Sequence, residues 1–209
     1  MKFEDVPAHS IKSISQRALL LLSDRLSRDR DFPSLEDFRF GSRMHDPKQF
    51  VVWTIEEGGA ARRFRTLYPG NSVTEIFNWA WQGKTMDEVA PEFTRSFALD
   101  SANEWADTGC AIYPVFTTED PNGNRVDCER LLPLLGRGGR VEQIIASLQL
   151  ISLEGEFKRK SILRRFELHT EVTLAGRMTS GFAKRRAVSM PQTAEGYSGV
   201  PEAAARHVN

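Results

Sequence analysis

Cysteine is scarce. Only Cys110 and Cys128 occur in 209 residues, and no spacing pairs them. Small secreted scaffolds rely on dense disulfides, so this supply fits a reducing, cytoplasmic setting. Long apolar runs are missing too: the longest, Ala18 to Leu22, has five residues, against the ~20 that cross a bilayer. The opening Met1-Lys2-Phe3-Glu4-Asp5 lacks a basic start followed by an apolar stretch, so no signal peptide is expected. Net charge is absent, with 28 basic and 28 acidic side chains, so the chain as a whole is no polyanion binder. The four histidines (His9, His45, His169, His207) have no metal-ligand spacing to one another or to a cysteine, and no metal is expected.

Catalytic signatures are equally thin. No Gly-x-Ser-x-Gly stretch occurs, and the histidines avoid the section that reads as folded. Gly136-Arg137-Gly138-Gly139 lacks the Gly-Lys-Ser/Thr ending of a phosphate loop and joins two expected strands, so it reads as a turn. Glu56-Glu57 and Glu119-Asp120 fall in turn regions and read as solvated charge. The chain is expected not to be an enzyme.

Core material is ample. Hydrophobic residues make up 40% and charged residues 27%, with 13 Phe and 4 Trp, an ordinary globular composition. A chain of this length buries roughly 70% of its unfolded surface and needs no covalent staples. Zero net charge hides an asymmetry. Residues 1–155 carry 18 basic and 23 acidic side chains; residues 156–209 carry 10 and 5. Three parts are expected: a helical cap over 1–32, a folded domain over 33–155, and a basic, partly disordered tail over 156–209. Within that tail the Ser/Pro/Gly/Ala-rich stretch from Ala187 reads as disordered. Its basic cluster (Lys158-Arg159-Lys160, Arg164-Arg165, Lys184-Arg185-Arg186) reads as a solvated or protein-docking face. The alternative, a transcriptional or nucleic-acid-associated regulator acting through this tail, finds no accompanying helix-turn-helix.

The spacing predicts a helix over residues 10–30. Ile11, Ile14, Ala18, Leu21 and Leu22 recur three and four apart as its apolar stripe. Such a stripe must be buried, against the following domain or against a second copy in a homodimer. Phe50-Val51-Val52-Trp53-Thr54-Ile55 reads as a strand apolar on both faces, and Arg62 to Tyr68 as its hairpin partner. Short helices follow from Ser72 and from Met86, then a longer one from Pro91 to Asp107, where proline suits the first turn. Three strands close the pattern, over 110–117, 125–135 and 140–152, joined by turns rich in Asn and Gly. This is an α+β order: one five-stranded antiparallel sheet with the helical insert on one face.

Gly70-Asn71-Ser72-Val73-Thr74-Glu75-Ile76-Phe77 followed by Gly83-Lys84, Arg30-Asp31-Phe32-Pro33-Ser34 before it, and Cys128-Glu129-Arg130-Leu131-Leu132-Pro133-Leu134 after it carry a likeness. Together, over roughly residues 28–153, they resemble a family of short, stand-alone bacterial PAS sensor proteins. The resemblance implies a PAS-like sheet capped by the N-terminal amphipathic helix. It also implies a signalling role through a partner protein or small ligand, without catalysis. Haem-binding members take a proximal His from the long helix, and residues 91–107 hold none. The light-sensing members need a Cys in the helical section, also missing. No cofactor is expected.

An apolar pocket between sheet and helices remains. Its candidate lining is Phe64, Phe77, Trp81, Phe93, Phe97, Trp105 and Tyr113, with polar groups from Thr66, Asn78, Tyr113 and Arg130. The aromatics either fill the core or line a ligand cavity. Arg130 is either a ligand anchor or half of a surface or cross-strand salt bridge. Glu129 and Arg130, as strand neighbours, point to opposite faces and cannot form a same-face pair.

Overall fold

The computed structural model describes residues 2–28, 32–38, 47–57, 61–77, 80–120, 122–133, 135–136, 142–157 and 170–179, with Ile76 and Phe77 as backbone only. Among these, strands β1 (Glu4–Pro7), β2 (Phe50–Glu56), β3 (Arg63–Pro69), β4 (Ile112–Glu119), β5 (Arg125–Leu131), β6 (Gln143–Ile151) and β7 (Glu171–Thr179) form one sheet. The helices are α1 (Ile14–Leu26), α2 (Asn71–Phe77), α3 (Met86–Val89) and α4 (Glu92–Thr108).

The sheet order is β1-β7-β4-β5-β6-β2-β3. A five-stranded antiparallel sheet of the PAS kind is therefore not what this chain forms: the sheet has seven strands and is mixed. β7 adds antiparallel to β4, and β1 then pairs parallel with β7, Val6 lying opposite Met178. Both added strands carry weak sequence signals. β1 has four residues, and β7 interrupts its apolar positions with Glu171, Thr173, Gly176 and Arg177. They belong to an edge, where a short, charged strand discourages pairing with a further chain. β7 also lies within the segment expected as a basic tail. The basic clusters at 158–165 and 184–186, and the stretch from Ala187, lie outside the described residues.

β2 is apolar on both faces because it is interior, between β3 and β6, and because both faces are covered. One face, here the inner face, meets α4: the rings of Phe97 and Phe116 stand edge to face with centroids 6.0 Å apart. Trp105, fully buried, donates its indole N–H to the Pro133 carbonyl at 2.9 Å. Gly109 ends α4 in the left-handed region at φ 61°, its N–H bonded to Trp105 O at 2.9 Å, a conformation that glycine adopts without strain. The opposite, outer face meets α1.

Arg177 fastens the added edge. Its guanidinium bonds Asp5 of β1 at 2.8 Å and Glu104 of α4 at 2.6 and 2.9 Å. Gly176 is needed there for room, because a Cβ would lie 2.5 Å from Val6 Cγ2. Gly176→Val is expected to cost about 1–3 kcal/mol by overpacking, or about 2–4 °C in Tm per kcal/mol at this size. Hydrogen exchange should show β1 losing protection while β2 and β3 keep theirs. Unchanged protection in β1 would show that the pairing of β1 with β7 does not hold.

Candidate functional site

β5 is the element that positions the site. It runs between β4 and β6, and its neighbours Glu129 (0% exposed) and Arg130 (8% exposed) leave it on opposite faces. The first meets α1. The second faces the α4 side.

On the outer face, the start of α1 is fastened by polar groups. Ser13 caps the helix through its hydroxyl, which accepts from Gln16 N–H at 3.3 Å. The Ser13 backbone N–H donates to Glu129 Oε2 at 3.1 Å, and the Lys12 N–H to the Tyr113 hydroxyl at 3.4 Å. Gln16, fully buried, bridges two strands by donating to the carbonyls of Glu129 (3.2 Å) and Ser147 (3.0 Å). Lys12 also ion-pairs with Asp127, whose other oxygen accepts from the Thr117 hydroxyl at 2.6 Å. Burial would raise the Asp127 pKa, but these two partners outweigh it and hold it below the usual carboxylate range. Burial, and then the adjacent Glu129 carboxylate, push the Tyr113 phenol up, so it stays a neutral hydroxyl. Among the described residues Glu129 Oε1 and Gln16 Oε1, both buried, have no hydrogen-bond partner.

The five residues read as the cap stripe separate. Ile11, ahead of the helix, is fully buried; Leu22 and Ala18 are half-buried; Ile14 and Leu21 are 78% and 65% exposed. The buried side of α1 is instead Gln16, Leu19, Leu20 and Ser23. Four consecutive leucines from Leu19 put an apolar residue on every side of the helix, so spacing alone leaves its rotation open. Ile14, Ala18 and Leu21, at i, i+4 and i+7, form an outward stripe.

On the inner face, the Arg130 guanidinium stands 5.6 Å from the centroid of the Phe116 ring. Among the described residues no hydrogen bond or ion pair reaches it, and burial lowers its pKa from the usual arginine range. Cys128, two residues back on the same face, is fully buried, and burial pushes its thiol up to about 12, the Arg130 cation only partly offsetting this. Phe64, Thr66, Trp81, Phe97 and Trp105 are all buried. Thr66 pairs with Trp53 across β2 and β3, and among the described residues neither the Thr66 hydroxyl nor the Trp53 indole N–H has a partner. Two pocket candidates lie elsewhere. Phe93 is 37% exposed in the first turn of α4, and Tyr113 lies on the outer face beside Glu129. The Phe77 side chain and Asn78 lie outside the described residues.

Set against protein-family models, curated proteins and solved structures, the chain matches none. Among the described residues no group of three or more His, Cys, Asp or Glu is placed to hold a metal, and no helix is long and apolar enough to cross a membrane. Sequence reasoning missed Lys12, Gln16 and Asp127. One signal was available: Gln16 begins an i, i+3, i+4, i+7 series with Leu19, Leu20 and Ser23, a long polar side chain on the buried side.

Two outcomes test the site. Glu129→Ala strands the Ser13 N–H and should cost about 1–3 kcal/mol, whereas Glu129→Gln keeps an accepting oxygen and should recover most of it; thermal unfolding reads both. For Cys128, the reactive species is the thiolate. Its raised pKa leaves it protonated at neutral and mildly alkaline pH, so a thiol reagent at pH 8 should label it only after denaturation. Labelling of the native chain at Cys128, read by peptide mass spectrometry, would contradict its placement.

Proposed function

We propose that this chain is a non-catalytic sensor and interaction module, working in the cytoplasm, in which α1 reports the state of the sheet to a signalling partner protein. One observation carries the reading. α1 is fastened to β5 at residue 129, one position from the inward guanidinium of Arg130, and it turns Ile14, Ala18 and Leu21 outward. A change on the inner face at β5 is thereby one residue from the helix anchor. Helix and sheet share hydrogen bonds that two unpartnered buried oxygens leave incompletely satisfied, so an alternative packing of α1 competes at modest cost. A ligand drives such a shift only by binding the two packings unequally. The PAS-family resemblance of the sequence points to the same role. The alternative of a nucleic-acid regulator rests on basic clusters outside the described residues.

Hydrogen exchange on the full chain tests the reading. Amides of Leu19, Leu20 and Ser23 should exchange at least about tenfold faster than those of β5 and β6, because α1 opens as a separate unit. Equal protection across α1 and the central strands would make α1 a fixed part of the core and overturn it. Replacing both Ile14 and Leu21 by Glu should leave Tm nearly unchanged, as exposed positions do, and abolish any self-association or partner complex seen by native mass spectrometry.

A further inference from the structure

Arg130 has no counter-charge among the described residues. It is 8% exposed, its guanidinium meets only the Phe116 ring, and the nearest carboxylate in sequence, Glu129, is turned to the other face to hold α1. A buried cation without a partner is costly, and strongly perturbed ionisable groups concentrate at functional sites. The residual exposure means that space for at least a water molecule touches this residue. Its surroundings are otherwise apolar: Cys128 on the same strand face, Leu148 opposite on β6, and Phe97 packed on Phe116. Beyond Phe97, the buried side of α4 carries the small residues Ala98, Ser101 and Ala102 and then Trp105, and the Ser101 hydroxyl is already bonded to the Phe97 carbonyl at 2.8 Å.

We propose that Arg130 anchors a binding site for a small hydrophobic monocarboxylate between the inner face of the sheet and α4. The guanidinium is a planar fork that can hold a carboxylate edge-on through two N–H groups, while its central carbon stands over the Phe116 ring. One buried positive charge matches one negative charge. A phosphate dianion would bring a second charge that no described side chain on this face answers. The rest of the ligand meets aromatic and small apolar side chains, so its body is an aryl or short acyl group. This inference rests on the sensor reading above and names the ligand class for it.

The test uses the full chain with benzoate and octanoate as probes and benzamide and octanamide as uncharged controls, read by thermal shift and tryptophan fluorescence. At least one acid should raise Tm saturably, and its amide should not. Arg130→Met should raise the ligand-free Tm, since it removes an uncompensated buried charge, and should weaken acid binding by roughly 10- to 100-fold, the worth of a charge-assisted hydrogen bond. Arg130→Lys, which keeps the charge but not the fork, should bind with intermediate affinity. The inference is overturned if neither acid shifts the wild-type chain, if the amides bind as well as the acids, or if Arg130→Met binds the acids undiminished. It is equally overturned if Arg130→Met lowers the ligand-free Tm, because the guanidinium then has a structural partner. Acid binding without any separate opening of α1 would overturn the reporter role alone. Separate opening of α1 without acid binding would overturn this inference alone.

Discussion

A strand presents consecutive residues to opposite faces, and β5 uses that constraint to hold a carboxylate and a guanidinium one residue apart yet out of reach of each other. Two positions apart, they would share a face and be able to pair. As it is, Glu129 is committed to the backbone at the start of α1, and Arg130 is left with an aromatic ring and, among the described residues, no anion. Cover on both sides of the sheet follows from this. α1 must lie on the outer face to satisfy Glu129, and α4 must lie on the inner face to bury Cys128, Phe116 and the stem of Arg130.

The sheet that carries β5 is protected at its edges. On one side β7 and β1 extend it past β4, so that β4, buried along nearly its whole length, is never an edge. The outermost strand is short and bears Glu4 and Asp5. Arg177 ties it through Asp5 to Glu104 of α4, so the added edge and the helical layer share one charge cluster. On the other side β3 presents Arg63 and Arg65, the latter paired with Glu56. Each exposed ion pair is worth little by itself. Their combined effect is to make both rims polar and unattractive to further strands.

Local rules are broken in several places among the described residues, and two of these adjoin β5. α1 is held by hydrogen bonds that leave Glu129 Oε1 and Gln16 Oε1 unpartnered, where apolar packing alone would have made a firmer joint. The inner face keeps a cation with no partner among the described residues, where an apolar side chain would carry no charge to desolvate. Sequences that specify one structure satisfy such groups, and departures cluster where a protein binds or moves.

By itself the sequence determined the strands with strong β-branched and aromatic content, β2 through β6, the helices from Ser72, Met86 and Pro91, and the opposite facing of Glu129 and Arg130. These follow from local periodicity and turn chemistry. It did not reveal β1 or β7, because β1 is four residues long and β7, next to that edge, is largely exposed, so that its pattern of Glu, Thr and Gly resembles a loop until its neighbours pair with it. It did not set the rotation of α1, because Leu19 to Leu22 satisfy every rotation equally, and the choice came from where Gln16 could reach two strand carbonyls. Nor did it decide the surroundings of Tyr113 and Arg130. The register of β4 against β5 and the docking of α1 placed Tyr113 beside Glu129 and left Arg130 on the other side, over the Phe116 ring. Pairing partners far apart in the chain are a property of the folded sheet, and only the tertiary structure supplies them.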